Sequence, residues 1–361
     1  FRYNFYKEIL PSITLADINK LGKEWVVSKG LSIILKAPEK EGLDIPSEGT
    51  IKQLLSKIET ESIEPYIDSL AKKEIAITID KEGEIIDSSY NKKINVSKWK
   101  LENGITIIAK PTTLQNDLIS LSGFRPGGSS LAADSIYVSA RNAGSIIGSS
   151  GILNISGLEL EKLNMGKTIS LTPFINFYEE LFSGSSTAEE LERMLTMLHL
   201  YFTNPNKDIL QFEADKQRMI AGTKNDSLNP DTVFDNEISR IMTNNHLRGI
   251  PITEKQIENE LNLDTAFDFY KNRFSSANGF TFIFVGSFDL QKLKELSKKY
   301  LGTLPSNQTE KSDWKDIGLR RITGVHKNTI LKGNENKSKV DIRYTGTLDY
   351  TLEKELSISL L

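Results

Sequence analysis

The 361-residue sequence contains no cysteine and only three histidines. The missing thiols exclude disulfides, cysteine-ligated zinc, iron–sulfur clusters and a cysteine nucleophile. Lys and Arg number 45 and Asp and Glu number 48, so the net charge is −3, which argues against a nucleic-acid or anionic-membrane surface as the main role. No apolar run approaches the ~20 residues of a membrane-spanning helix. The composition is that of a globular protein with two or three domains.

The three histidines are too far apart in sequence to form a zinc-binding helix. His199, His246 and His326 are separated by 47 residues or more, so no H-x-x-x-H pair exists. His199 lies in an apolar helical stretch and is expected in the core or at its boundary. His246 lies in a polar stretch and is expected in solvent, and His326 receives no role. We therefore expect no metal ligand in this chain.

The segment Arg125-Pro-Gly-Gly-Ser-Ser130 is the one that most resembles a phosphate-binding loop. Backbone N–H groups in such a turn can bind an anion. However, the sequence contains neither G-x-x-x-x-G-K-[ST] nor G-x-G-x-x-G. The favoured interpretation is a turn from strand to helix that needs a positive φ at Gly127 or Gly128.

The remaining chemical motifs also favour structural roles. G-x-S-x-G is absent, and the segments 184–186 and 148–151 are interpreted as flexible turns. The pairs Glu179-Glu180 and Glu189-Glu190 are more typical of helix starts or solvated charges than of a general acid and base. Helical spacing predicts core packing for four aromatic residues, Phe267, Phe269, Tyr270 and Phe274. No catalytic residue is expected, and substrate-binding residues stay unassigned.

Hydrophobic periodicity predicts a mixture of helices and strands. Helices are predicted over 15–25, 46–58, 132–147, 158–163, 188–202, 208–223, 230–242, 265–274, 290–300 and from 351. Strands are predicted over 31–37, 118–124, 168–173, 178–183, 280–285, 320–324, 329–331 and 340–344, with a hairpin over 99–109 around Asn103-Gly104. The polar stretches 59–95 and 305–312 are interpreted as linkers.

Apolar and aromatic residues near both ends of the sequence lack a predicted partner surface. Phe1, Tyr3, Phe5 and Tyr6 cluster at the start, and an apolar stripe ends at Leu360-Leu361. Such stripes need a surface to pack against. The sequence is therefore expected to be a fragment.

Several motifs follow one another in a recognisable order. They are Trp99–Lys110 (W-x-L-x-N-G-hydrophobic…K), Pro126-Gly-Gly-Ser-Ser130, Ser150-Gly151, Leu160–Lys167, Phe182–Met197, Phe280–Asp289 and Lys299–Pro305. This order resembles the C-terminal half of M16 (pitrilysin/insulinase-type) zinc peptidases. The segment from Tyr6 to Asn19, with Glu24-Trp25, is similar to the end of the catalytic half of that family, most of all in its PqqL-type bacterial members.

The resemblance implies an α+β fold like that of the processing peptidases, with a mixed or antiparallel sheet covered by helices. In that arrangement four similar domains form two clam-like halves. Residues 1–70 would be the end of the second domain and 71–94 the connector between the halves. Residues 95–310 would be a complete, non-catalytic third domain, and 311–361 the start of the fourth.

The resemblance also implies where the chemistry would lie. The zinc site of the family, H-x-x-E-H with a downstream Glu, belongs to the first domain, and the corresponding helix here, about 134–147, holds neither His nor Glu. The Arg/Tyr pair of the fourth domain would fall beyond Leu361. No catalytic or metal residue can therefore be carried over, and zinc is expected in an absent N-terminal half.

The implied function is a non-catalytic portion of a zinc peptidase that forms chamber wall and peptide-binding surface. Its partners would be the catalytic half of the same polypeptide and unfolded peptide substrates, without nucleic acid or a membrane span. PqqL-type resemblance points to a bacterial periplasm or envelope. Two alternatives stay open: a metal-free M16-like scaffold subunit, and an unrelated module that binds peptides at its sheet edges.

Overall fold

The chain divides into two units in the computed structural model, Phe1–Ile67 and Asp68–Leu361. The structure describes residues 2–25, 30–37, 42–62, 64, 73–307 and 313–360. The α-helices are α1 (Arg2–Ile9), α2 (Leu15–Trp25), α3 (Glu48–Thr60), α4 (Tyr137–Ser150), α5 (Gly157–Leu163), α6 (Leu191–Thr203), α7 (Ile209–Leu228), α8 (Pro230–Met242), α9 (Glu254–Glu260), α10 (Leu263–Phe274), α11 (Leu290–Leu296) and α12 (Leu352–Ser359). Among these residues, no helix has both the length and the apolar character that crossing a bilayer requires.

The first unit contains α1, α2 and α3, and local capping explains the predicted starts of α2 and α3. Thr14 and Asp17 cap α2 reciprocally, because each backbone N–H donates to the side chain of the other, at 2.9 and 3.2 Å. Ser47 Oγ accepts the Thr50 N–H at 3.1 Å at the start of α3. The strand predicted over 31–37 is wrong, since these residues form no regular structure. Its predicted end at Pro38 lies outside the described residues.

The second unit is built on one seven-stranded sheet in the order β1-β2-β3-β7-β4-β6-β5. Its strands are β1 (Ile85–Asn91), β2 (Val96–Leu101), β3 (Thr106–Pro111), β4 (Ile119–Pro126), β5 (Ile169–Ile175), β6 (Glu179–Ser186) and β7 (Thr281–Gly286). β3 and β7 are parallel, and the other neighbours are antiparallel. The mixed sheet with its helices confirms the α+β prediction.

The hairpin predicted around Asn103-Gly104 joins β2 to β3. Gly104 has a φ of 88°, which a side chain would disfavour. The Asn103 amide also donates to the main-chain oxygens of Leu301 and Leu304, at 2.8 and 3.2 Å. The turn therefore closes the hairpin and is also anchored to the segment that contains Leu301 and Leu304.

The hydrophobic core lies between the sheet and the helices on one of its faces. Phe182 of β6 contacts Phe202 of α6 and Phe274 of α10, with ring centroids 5.4 and 5.3 Å apart. Helix α4 packs directly on β5, because a Cβ at Gly144 would lie 2.7 Å from the Ile175 nitrogen. These contacts all lie on one face of the sheet, and the core helices do not cover the opposite face.

Several predictions outside the core are corrected by the structure. The strands predicted over 320–324, 329–331 and 340–344 are wrong, because residues 313–350 contain no described strand. The polar stretch 59–95, interpreted as a linker, contains β1 at the edge of the sheet. The domain borders predicted at 70/71 and 310/311 lie outside the described residues and stay predictions.

Candidate functional site

One face of the sheet is not covered by the helices of the core. Along β4, Ile119 and Leu121 are buried while Ser120 and Ser122 are exposed. Because side chains alternate along a strand, the exposed set lies on the face opposite the helices. We call this the open face.

Strand register sets the residues of the open face in rows that cross the sheet. One row runs Lys98, Ile108, Ile283, Ser122, Ser183, Thr172, and a second runs Lys100, Thr106, Thr281, Phe124, Leu181, Phe174. A third runs Lys110, Val285, Ser120, Ser185, Ser170. The face thus has a basic zone (Lys98, Lys100, Lys110), a hydroxyl zone (Ser120, Ser122, Ser183, Ser185, Ser170, Thr172) and an apolar zone (Phe124, Leu181, Phe174).

The Gly-rich turn after β4 closes one end of this face. Gly127 and Gly128 have φ angles of 151° and 67°, which confirms the prediction of positive φ at this turn. Its backbone N–H groups are already used. Gly128 N donates to Glu180 Oε1 at 2.7 Å, and Ser129 N and Ser130 N donate to main-chain carbonyls at 2.8 and 2.7 Å. The turn is therefore structural, and the phosphate-binding interpretation is not supported.

Glu180 is buried, and its interpretation as a helix-start or solvated charge is wrong. The carboxylate has 0% exposure in β6 and pairs with Arg125 Nε at 3.1 Å and with Arg273 Nε at 2.6 Å. Arg125 also donates to the main-chain oxygens of Ser276, at 2.7 Å, and of Arg273. This buried cluster ties β4, β6 and α10 together beneath the turn. The sequence contained a signal for this burial, because Glu180 lies two positions from the core residue Phe182 in β6. Side chains two positions apart in a strand lie on the same face of the sheet.

The other carboxylate pairs have roles close to those predicted. Glu179 is exposed beside its buried neighbour. Glu190 precedes α6 and pairs with Lys167 Nζ at 2.9 Å, and Glu189 is exposed. Within the described part of the chain, none of these three glutamates lies beside a second group that could act with it as a general acid and base.

The histidines bond to main-chain groups. His199 in α6 is half-buried, and its Nδ1 lies 2.8 Å from the Tyr300 oxygen. Burial lowers the pKa of His199, and this hydrogen bond opposes the shift. His246 was expected in solvent but is half-buried, with Nε2 2.9 Å from the Ile317 oxygen. His326 is exposed, with Nε2 2.8 Å from the Thr323 oxygen.

No group of His, Asp and Glu within the described ranges is arranged to hold a metal ion. Helix α4, at the place predicted for the counterpart of the family's zinc helix, contains neither His nor Glu. The residues present therefore do not fit a zinc site.

The serine segments are better ordered than predicted. Gly184-Ser-Ser lies within β6 rather than in a flexible turn, and Ser185 Oγ lies 3.0 Å from Ser170 Oγ across the strands. Ser149 and Ser150 end α4, where Ser149 Oγ donates to Asp215 Oδ2 at 2.7 Å. Core packing is confirmed for the predicted aromatic group, with Tyr270 and Phe274 buried and Phe267 and Phe269 half-buried.

Comparison with known proteins places this fold. Residues 260–361 match the family model described as the peptidase M16 inactive domain. The chain is therefore similar to M16 proteins, as the sequence motifs predicted. It is 23% identical over 301 residues to an Arabidopsis thaliana protein named zinc protease PQQL-like, covering 83% of this chain and 29% of the relative. It is 19% identical over 319 residues to a Haemophilus influenzae protein named probable zinc protease PqqL, covering 84% of this chain and 33% of the relative.

The fold is also that of a solved PqqL structure. The periplasmic protease PqqL from Escherichia coli superposes with a TM-score of 0.60 at 17% identity, over 77% of this chain and 30% of that one. The sequence matches confirm the predicted resemblance to PqqL-like M16 proteins, in their C-terminal half. The chain spans about a third of the length of the curated relatives it matches.

Proposed function

We propose that this chain is a non-catalytic part of an M16-type zinc peptidase, and that its open face lines the chamber and holds substrate peptide. The observation that carries the proposal is the match to PqqL-like zinc proteases over more than four-fifths of the chain. The described residues in this matching chain include no group that could bind a metal ion. An uncovered sheet face rich in hydroxyl groups suits the binding of extended polypeptide.

In this proposal the chemistry belongs to a catalytic half that carries H-x-x-E-H and zinc. The residues of this chain contribute binding and closure, which help to position a substrate and exclude water. No proton transfer or metal ligation is assigned to any residue here. The partner is the catalytic half of the same polypeptide.

The test uses a fluorogenic peptide library and the purified full chain, alone and together with the polypeptide encoded upstream of it. We expect no cleavage and no stoichiometric zinc for the chain alone, and cleavage when an upstream half with H-x-x-E-H is present. Cleavage by the chain alone, or one tightly bound zinc per chain by elemental analysis, would contradict the proposal. An upstream half without H-x-x-E-H, with no cleavage in the mixture, would support the scaffold function instead.

We also propose that the protein acts in a bacterial envelope. The support is the Escherichia coli relative, which is described as periplasmic. Cell fractionation followed by immunoblotting should recover the protein with periplasmic markers. Recovery with cytoplasmic markers would overturn this placement without affecting the proposed role in proteolysis.

A further inference from the structure

The basic zone of the open face carries charge that the protein does not neutralise. Lys98, Lys100 and Lys110 are exposed, and among the described residues none of them has an ion-pair partner. The register places Asp87 opposite Lys100, and Glu102 follows Lys100 by two positions. The three lysines form a cluster of positive charge within a chain whose net charge is −3. The zone therefore attracts anionic groups against the overall charge of the protein.

The apolar zone lies on the far side of the sheet from these lysines. Phe124 and Leu181 are half-buried and Phe174 is 38% exposed, so all three offer apolar surface. The zone continues at the strand ends into a groove, lined in part by Pro126, Tyr178 and Trp314. The Tyr178 and Trp314 rings meet edge to face, with centroids 5.0 Å apart. Half-exposed aromatic side chains of this kind are the residues that anchor binding partners.

The spacing of the two zones can be converted into a length of peptide. From β2, which carries Lys98 and Lys100, to β6, which carries Leu181, the sheet order gives four strand intervals. At ~4.8 Å per interval Lys100 and Leu181, which share one row, are ~19 Å apart, a distance that an extended chain spans in about six residues at ~3.3 Å per residue. Between Lys100 and Leu181 in that row lie Thr106, Thr281 and Phe124. The hydroxyl groups of the two threonines can donate to and accept from a peptide backbone without selecting its side chains.

We infer that the open face selects extended polypeptide segments in which acidic residues stand about six positions from an apolar or aromatic residue. The acidic groups lie over Lys98, Lys100 and Lys110, and the apolar side chain packs on Phe124, Leu181 and Phe174. The backbone between them crosses β3 and β7 at Thr106 and Thr281. This inference rests on the proposed function and adds to it the class of substrate.

Fluorescence anisotropy with labelled peptides tests the inference on the full chain without catalysis. The first probe carries a cluster of Asp about six residues before Phe-Leu, in a Gly/Ser/Thr background. A second has the same composition with the two groups adjacent, and a third has Lys in place of Asp. We expect the first to bind most tightly, and its affinity to fall between ~0.05 and ~0.3 M salt, because exposed charge pairs are screened.

Two matched variants distinguish an effect of the basic zone from an effect of the total charge of the protein. The triple substitution Lys98→Gln, Lys100→Gln and Lys110→Gln should weaken the first probe roughly fivefold to twentyfold and remove most of the salt dependence. The control carries the same change on helices of the opposite side, Lys224→Gln, Lys255→Gln and Lys292→Gln, and should leave binding within about twofold. All six lysines are exposed, so folding of both variants is expected and is checked by circular dichroism.

The apolar zone is tested by Phe174→Ser, which should weaken the first probe and leave a purely acidic peptide unchanged. Equal affinity for the acidic and basic probes, equal affinity for the two spacings, or equal effects of the two lysine triples would each overturn the inference. Binding that ignores charge and spacing would leave the proposed chamber-wall function standing. Failure to bind any of the peptides would instead contradict the peptide-binding part of that proposal.

Discussion

Replacing Glu180 by Gln removes the negative charge from the buried cluster beneath the Gly127–Gly128 turn. The carboxylate accepts three hydrogen bonds at 2.6–3.1 Å, two from guanidinium groups and one from a backbone N–H. Glu180→Gln leaves one acceptor and places an amide N–H beside a guanidinium N–H. The two arginines then lose the buried carboxylate with which both of them pair. Breaking a buried ion pair in this way costs about 3–5 kcal/mol of unfolding free energy.

The assay is urea unfolding followed by tryptophan fluorescence. Trp99 in β2 is 4% exposed, whereas Trp25 and Trp314 are 77% and 50% exposed, so the change in emission reports mainly on the sheet. With a slope of about 3 kcal/mol per molar urea, the midpoint should fall by roughly 1–1.7 M. The matched control is Glu179→Gln at the exposed neighbouring position, expected to cost less than about 0.5 kcal/mol. Equal midpoints for the two variants would refute the assignment of Glu180 as the buried counterion.

Three further predictions concern stability. Gly144→Ala should lower the unfolding free energy by about 1–3 kcal/mol, because the added Cβ collides with the β5 backbone. Gly222→Ala in α7 has no atom near its Cβ and should raise the unfolding free energy by about 0.5–1 kcal/mol. Urea unfolding curves measured in parallel check the pair, and a shift of the same sign in both variants would contradict the packing argument. Burial lowers the pKa of His199 below its usual 6.5, so the unfolded chain binds the proton more tightly than the folded chain does. The unfolding free energy should therefore fall as the pH drops below about 6.5. His199→Gln should flatten that part of the pH profile of stability, and an unchanged profile would exclude His199 as the cause of the fall. Ser47→Ala should cost α3 about 1 kcal/mol by removing the cap on Thr50, seen as lost helical ellipticity, with Ser47→Asp as the capped control that should retain it.

Sequence reasoning located the elements whose signals are local. Helix α8 matches its prediction over 230–242 because Asn229 and Pro230 define its start, and the Asn103-Gly104 hairpin follows from turn chemistry alone. β1 was missed because an edge strand exposed on both faces shows no alternation of polar and apolar residues. The strand predicted over 340–344 has good alternation but no described neighbour with which to form a ladder, and a strand requires one.

The candidate surface was less accessible to sequence reasoning. That Lys98 and Lys110 share a face with Phe174 depends on the pairing of residues far apart in the chain, and no local pattern encodes that register. Burial of Glu180 likewise depends on Arg273, 93 positions away. The resemblance supplied the fold class and the expectation that no metal site lies in this chain, whereas the zones of the open face had to come from the structure.

The place of β7 in the sheet has a consequence for how the protein is made. Strands β1, β2 and β3 form one local meander, and β4, β6 and β5 pair in that order to form a second group of strands, but only β7 joins the two groups. Thr106 of β3 pairs with Thr281, 175 positions later in the chain, so the complete sheet can form only after β7 has been synthesised. Contacts of such long range slow folding, and during synthesis two unpaired strand edges are exposed until β7 leaves the ribosome. Substitutions in β7 should thus affect yield and aggregation in the cell more than their cost to the finished fold suggests.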